Sequence, residues 1–539
     1  MLRRPTHGAL LAAALVFLSC HGGRRGPPPE RFVPAGVRAA VVVPEAGRAA
    51  EELAALHSSI SGFPGVGELA GARGALAAQL GFDPLDPEAL ADAGVDPGRG
   101  AAIALLDRPG PRGEPAGATL VVLPAADAPK LERLLARLAR DRLGATERRA
   151  ETHHGIAAVV FHRPGVTAPA LSYAVVERTA LLTTHPSGPA LVAEAATLAP
   201  AASLAGDPGF LKSRAALGER VAAIAFVPAG SRILQGTWAL GDGFAIGVSA
   251  GPGRLGARVA VLLGAREPSF RALAADGHAA ALVARLDPSA PLAARWDGDF
   301  AALGKKLVPM IGARDRAWLV RRGIDLDRDL FAVLAPGGAL ALSLPARLAL
   351  GGLTAEATRA DPLRAAEFEA ILPFRPGTDV GAAAERLARA VGAARRGRGS
   401  EDGVARLQTA SGEIAWKVDA ARAHLVAAGG RPGRIDALLA RLGDGAAGWK
   451  APTPSAEAAL SGGLGGAALD APRLVAAVRA LPDEAFGSGP SGFVLRALVE
   501  RVVDPAERLA AISLRAELAE GALLLALDVE ARAGSGDER

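Results

Sequence analysis

The chain has 539 residues, half of them apolar, so it folds around a substantial core rather than staying disordered. Its 61 basic and 56 acidic residues leave a formal charge of +5, no nucleic-acid footprint unless gathered on one face. Aromatics make up 4%, with Tyr173 the only tyrosine, which leaves few platforms for stacking bases or sugars, and Cys20 is the only cysteine, so no disulfide can staple the body.

At the start, Arg3 and Arg4 lead into the apolar run Ala9 to Leu18 and then Ser19-Cys20. A run of about 10 residues is too short for a bilayer-crossing helix of about 20, so residues 1–19 read as a secretory signal. This leader resembles that of bacterial lipoproteins processed by a type II signal peptidase, with Phe17 standing where the family usually has leucine. The resemblance implies that Cys20 becomes the lipid-bearing first residue and anchors the protein to the membrane. His21, where an aspartate would be a retention signal, then points to a periplasm-facing place at the outer membrane. Residues 20–35, with Gly22, Gly23, Arg24, Arg25 and Pro27 to Pro29, read as a tether holding the body off the membrane.

Val37 to Val43 reads as a strand, followed by helical patterns over 46–59 and 67–80 and a short capped helix before Gly94. Strands Ala101 to Leu106 and Ala118 to Leu123 come next. Asp127 then caps a helix whose Leu131, Leu134, Leu135 and Leu138 form one stripe. Four short strands are predicted over 149–154, 156–162, 171–177 and 179–184. Helices 188–198 and 207–217, a strand 220–227 and a hairpin of 244–250 with 256–263 complete the half.

From Gly277 the order of elements begins again. Gly94-Val-Asp-Pro-Gly-Arg99 matches Gly323-Ile-Asp-Leu-Asp-Arg328, with Leu330 to Leu334 read as the following strand, and Leu123-Pro124 matches Leu372-Pro373. Glu132-Arg133-Leu134 matches Glu385-Arg386-Leu387, with a second stripe at Ala384, Leu387, Ala388 and Val391. Later elements match too, ending in a hairpin of 510–518 with 521–531. The expectation is an α+β fold of two homologous halves, each a mainly antiparallel sheet packed with amphipathic helices. Repeat 1 would cover 36–276, repeat 2 would cover 277–533, and 534–539 would be a tail. Phe32-Val-Pro34 before the first strand, the duplication and the leader together resemble a class of secreted bacterial proteins, and that class implies no activity. Continuous apolar strands such as Leu523 to Leu527 suit sheets covered on both faces, one by helices and the other by a second sheet, the other half or an apolar ligand.

Motifs that would carry chemistry lack their context. Gly247-Val-Ser249-Ala-Gly251 matches a nucleophile elbow, with Asp276 and His278 downstream, but it lies in a strand entering a Gly-Pro-Gly turn. Gly65-Val-Gly67 has no preceding strand to make it a dinucleotide loop, and Gly298 to Lys306 has the wrong spacing for a phosphate loop. Asp325-Leu-Asp327-Arg-Asp329 alternates like a calcium loop but lacks the bending glycine and the closing glutamate. His153, His154, His162 and His185 could converge only if the fold brought them together, and Asp83, Asp86, Glu88 and Asp92 read as helix-start acids. No cofactor or metal is expected. The functional expectation is a lipid-anchored envelope protein that binds or scaffolds an envelope partner, with a carrier of an apolar ligand as the alternative and a hydrolase using Ser249 as the remote one.

Overall fold

The computed structural model describes residues 26–532, except 46, 53, 55–73, 76, 79–80, 84–85, 110–114, 219–220, 232–240, 252, 346–347, 351–352, 354–357, 359–360, 391–393, 396–402 and 446–447. Cys20, the leader, Gly65 and Gly67 lie outside the described residues. The chain divides into two compact units, one up to Arg266 together with Ala519–Leu524, the other Glu267–Leu518 with the residues from Leu525 onward. The sequence places its boundary ten residues later, near Asp276.

The first unit is α+β. Its strands are β1 Val37–Val43, β2 Ala101–Pro109, β3 Pro115–Pro124, β4 Glu147–His153, β5 Ile156–His162, β6 Pro169–Val176, β7 Thr179–Thr183, β8 Ala223–Val227, β9 Gly243–Gly251 and β10 Arg254–Leu262. They pair antiparallel in the order β4-β5-β6-β7-β3-β2-β1-β8-β9-β10. Helices α1 Pro87–Asp92, α2 Ala128–Leu143, α3 Gly188–Thr197 and α4 Pro208–Leu217 join them. Each begins with a proline in its first turn, where the missing N–H costs nothing, and Asp86, Asp127 and Asp207 cap α1, α2 and α4.

Helices cover both faces of this sheet, where the sequence suggests helices on one only. Leu131, Leu134 and Leu135 of α2 pack with Val121, Leu123, Phe161, Tyr173 and Leu182, while α3 and α4 bring Leu191, Val192, Phe210 and Leu217 to Leu120, Val122, Leu181 and Phe226. Two opposed apolar layers explain why these strands are continuous apolar runs rather than alternating ones. The expected tether also ends early. Pro29–Phe32 is a 3-10 turn, Phe32 and Val33 are fully buried, and Glu30 pairs with Arg214 at 2.7 Å.

The second unit carries β11 Leu292–Trp296, β12 Gly338–Ser343, β13 Glu367–Pro373, β14 Ala394–Arg395, β15 Val404–Gln408, β16 Glu413–Asp419, β17 His424–Gly430, β18 Gly465–Asp470, and, apart from the residues of Ala519–Leu524 that group with the first unit, β19 Leu509–Ala519 and β20 Ala522–Ala531. Pairing is again antiparallel, in the order β14-β15-β16-β17-β13-β12-β11-β18-β19-β20. Its helices are α5 Glu267–Arg271, α6 Ala279–Val283, α7 Phe300–Leu307, α8 Ala313–Arg321, α9 Val380–Ala390, α10 Arg434–Asp444, α11 Pro454–Ser461, α12 Ala471–Arg479 and α13 Gly489–Ala506. One face is packed by α10 and α11 through Ile435, Leu438, Ala456 and Leu460, the other by α9 through Val380, Ala383 and Ala388.

Strand for strand, the two orders are the same, and backbone hydrogen bonds fix which residues correspond. Asp96 N–H donates to Pro124 O as Ala335 does to Pro373 O, Ala126 to Gly94 O as Arg375 to Val333 O, and Ala125 to Arg178 O as Phe374 to Ala423 O. Arg178 and Ala423 share a left-handed backbone as well. The matches drawn from sequence therefore shift. Gly94 corresponds to Val333 rather than Gly323, and Leu330 to Leu334 is not a strand: Asp327–Phe331 forms a π-helical turn. Asp127 and Asp379 each accept from the N–H three residues on, so Leu131 corresponds to Ala383 and Leu134 to Arg386, one residue off the sequence match.

Candidate functional site

Between the α9 face of the second sheet and α9 itself lies an apolar cleft of about 270 Å³. Phe368, Ala370 and Leu372 of β13, Ile414 and Trp416 of β16, and Leu425 and Ala427 of β17 form its floor. Ala383, Ala384 and Leu387 of α9 roof it, and Asp329, Leu330 and Val333 close one side. Its surface is almost entirely carbon, with Asp329 the only charged residue in the lining.

The matched residues of the first unit explain the space. There Leu90, Leu131, Leu182 and Phe161 stand where the second unit has Asp329, Ala383, Ala427 and Leu407, and the stacked Phe161 and Tyr173 rings, 6.3 Å apart, fill the centre. Leu90 and Leu131 are fully buried there. Asp329, Ala383 and Ala427 leave space that the larger floor residues Phe368, Trp416 and Leu425, at the positions of Thr119, Tyr173 and Ala180 in the first unit, do not fill.

Asp329, buried, and Arg386, exposed, stand at the positions that Leu90 and Leu134 hold in the first unit. The Asp329 carboxylate, 1% exposed, accepts from Arg328 Nε and Nη2, both at 2.9 Å, from Arg386 Nε at 3.1 Å and Nη2 at 2.8 Å, and from the Asp325 N–H at 2.9 Å. The Arg328 hydrogen bonds, with those from Asp325 and Arg386, outweigh burial and hold this carboxyl far below the ordinary carboxylate range.

On the opposite face, the second unit buries a further ionic group. Arg434 donates to Glu367 at 2.7 Å, Asp287 at 3.0 Å and Ser343 Oγ at 3.0 Å, while Arg441 donates to Glu369 at 2.6 Å. Burial pushes Glu369 up despite Arg441. Burial also pushes Asp287 up, but hydrogen bonds from Ser289 and the charges of Arg434 and Arg441 outweigh it and leave that carboxyl low. In the first unit the β3 positions of Glu367 and Glu369 are Ala118 and Leu120. Each acid is spent on an arginine or backbone partner, so this group ties α10 to β13.

The residues singled out from sequence do not assemble into one site. Ser249 lies within β9, opposite Gly256 of β10, and the strand runs on into the hairpin, so the strand-to-helix turn of a nucleophile elbow is absent there. His153 closes β4 with Nε2 3.1 Å from Glu151, His154 sits in the next turn, and His162 and His185 are buried. Among the described residues no three His, Cys, Asp or Glu side chains are placed to hold a metal ion. Asp329 lies in a helical turn and is spent on Arg328, Arg386 and the Asp325 N–H, while Asp325, just before the turn, accepts from the Arg328 N–H rather than wrapping around an ion. Gly298 is followed by Asp299, which caps α7, and an acid at that position repels phosphate. Asp86 caps α1.

Helix α13, which the sequence reading does not single out, exposes Val494, Leu498 and Val502 at helical spacing beside Phe493, which is 76% exposed. It packs on α12 between β18 and β19. Among the described residues no helix is long and apolar enough to cross a membrane.

No protein-family model matches this chain, and no curated protein matches it. Among solved structures, crystal form IV of TP0453 is similar at 10% identity and a TM-score of 0.24, over 47% of this chain and 88% of that one. A likeness of that size carries no argument about this protein.

Proposed function

We propose that this is a lipid-anchored envelope protein, held at the outer membrane through Cys20, that acts by binding and takes a small apolar ligand into its second unit. The observation that carries the reading is the carbon-lined cleft beneath α9. An apolar cavity of about 150 Å³ is known to stay dry and bind benzene, so one of about 270 Å³ suits a ligand of about ten carbons. We further propose that the two units descend from one duplicated domain, a reading supported by their common strand order and matched hydrogen bonds.

The ligand reading is tested by mass spectrometry of small molecules extracted from the Cys20→Ser chain purified without detergent. A stoichiometric apolar compound lost on Ala383→Leu supports it; nothing extracted, together with no binding of ten-carbon alcohols, sinks it. The anchor is tested separately by palmitate labelling, with incorporation expected in the wild type and none in Cys20→Ser. The scaffolding alternative has one observation in its favour, the uncovered stripe of α13. A photocrosslinker at Leu498 should then trap a specific envelope protein in cells, and crosslinking indistinguishable from that at an exposed polar position removes it.

A further inference from the structure

Resting on that reading of the cleft, we infer that its ligand is a single-chain amphiphile with an anionic, carboxylate-type head, held at the rim by Arg328 and Arg386. Hydrogen-bonding capacity selects the head. The Asp329 carboxylate already accepts four guanidinium bonds and a backbone N–H, which exhausts its lone pairs, so it has nothing to offer a cationic head. Each arginine spends only Nε and Nη2 on Asp329, and neither Nη1 has a partner among the described residues. Two guanidiniums are thus fixed on the one acid that lines the cleft, each with an Nη1 donor to spare, although neither arginine is itself among the lining residues.

Both arginines also reach water, with side chains 64% and 44% exposed. Asp325, just before that turn, accepts one bond from the Arg328 backbone N–H at 3.2 Å and Asp327 faces solvent, so both keep acceptors, but neither lines the cleft. Guanidinium and carboxylate match in planar, paired geometry, and holding the donors in advance reduces the ordering cost of binding. The first unit, with a filled core, carries neither part of this arrangement.

The test is calorimetric titration of the full Cys20→Ser chain at neutral pH with decanoate, decanol and decylamine, below their aggregation limits. Decanoate is expected to bind at least tenfold more tightly than decanol, with decylamine weakest. Arg386→Met should erase the preference for decanoate and leave decanol unchanged, whereas Ala383→Leu should weaken both. Should Arg386→Met fail to fold, the paired change Asp329→Leu with Arg386→Leu, which installs the residues of the first unit, serves instead and should bind no carboxylate preferentially. Equal binding of decanoate and decanol by the wild type, or a preference that survives the paired change, overturns the headgroup inference and leaves the apolar cleft standing. Binding of none of the three overturns both.

Discussion

Beneath α2 the first unit is filled by Leu90, Leu131, Leu134, Phe161 and Tyr173; beneath α9 the second unit, with the same strand order, is hollow and carries an ion pair at its edge. The contrast separates what a fold requires from what a site adds. Ladder register, capping aspartates and the hydrogen bonds at the strand ends are common to both units, so they are the frame. Side-chain volume at matched positions differs in both directions, with Leu90, Leu131 and Leu182 of the first unit larger than their counterparts and Phe368, Trp416 and Leu425 of the second larger than theirs, and the balance leaves a cleft in the second unit. The same division holds on the other face, where Ala118 and Leu120 of the first unit give way to Glu367 and Glu369.

Four changes test this contrast, the largest first. Glu369→Leu places in the second unit the residue of the first, yet it strands Arg441 and part of Arg434. It should cost about 3–5 kcal/mol, as breaking one side of a buried ionic group does, and adding Arg441→Ala should recover part of that in denaturant titration. Leu131→Ala would hollow the first unit at a fully buried position. A loss of about 3 kcal/mol is expected, and a loss under about 1 kcal/mol would mean that the first core is not the tight one.

The third is a pH effect. The folded Asp329 carboxyl lies below its ordinary value of 3.8, so its stabilisation is present above that pH and is lost as the pH falls through the acid range. Glu369, shifted upward, acts in the opposite sense, its ionisation costing stability as the pH rises. Unfolding midpoints between pH 5 and 3 should therefore fall less steeply in Asp329→Asn than in the wild type; parallel slopes would show that this carboxyl is not held low. The smallest change is Ala383→Leu, expected to add about 1 kcal/mol by filling space. A clear loss instead would mean that the roof of the cleft has no room.

The hairpins and the leucine helix α2 were legible in the chain because alternation, Gly/Pro punctuation and capping aspartates act locally. Gly251 and Gly253 flank the turn joining β9 and β10, and Asp127 announces α2. The run Leu330 to Leu334 was not, since a short apolar run fits strand and helix alike, and its place in the fold is decided by Asp329 finding two arginines. Helix α13 escaped because apolar residues lie on more than one of its faces, which blurs the stripe. The cleft left a partial trace, the alanines of α9 against the leucines of α2. A one-residue slip in matching those helices hid the exchange of Leu134 for Arg386, the half of the ion pair that gives Asp329 its meaning.

That pair also bears on how such a chain can change over time. An aspartate in place of a core leucine is ruinous without a cation beside it, a task that Arg328 and Arg386 share, whereas Arg386, with its side chain 44% exposed, is no burden by itself. Descendants of this chain that keep the acid at 329 are expected to keep a base at 328 or 386, whereas a base at either position can outlast the acid.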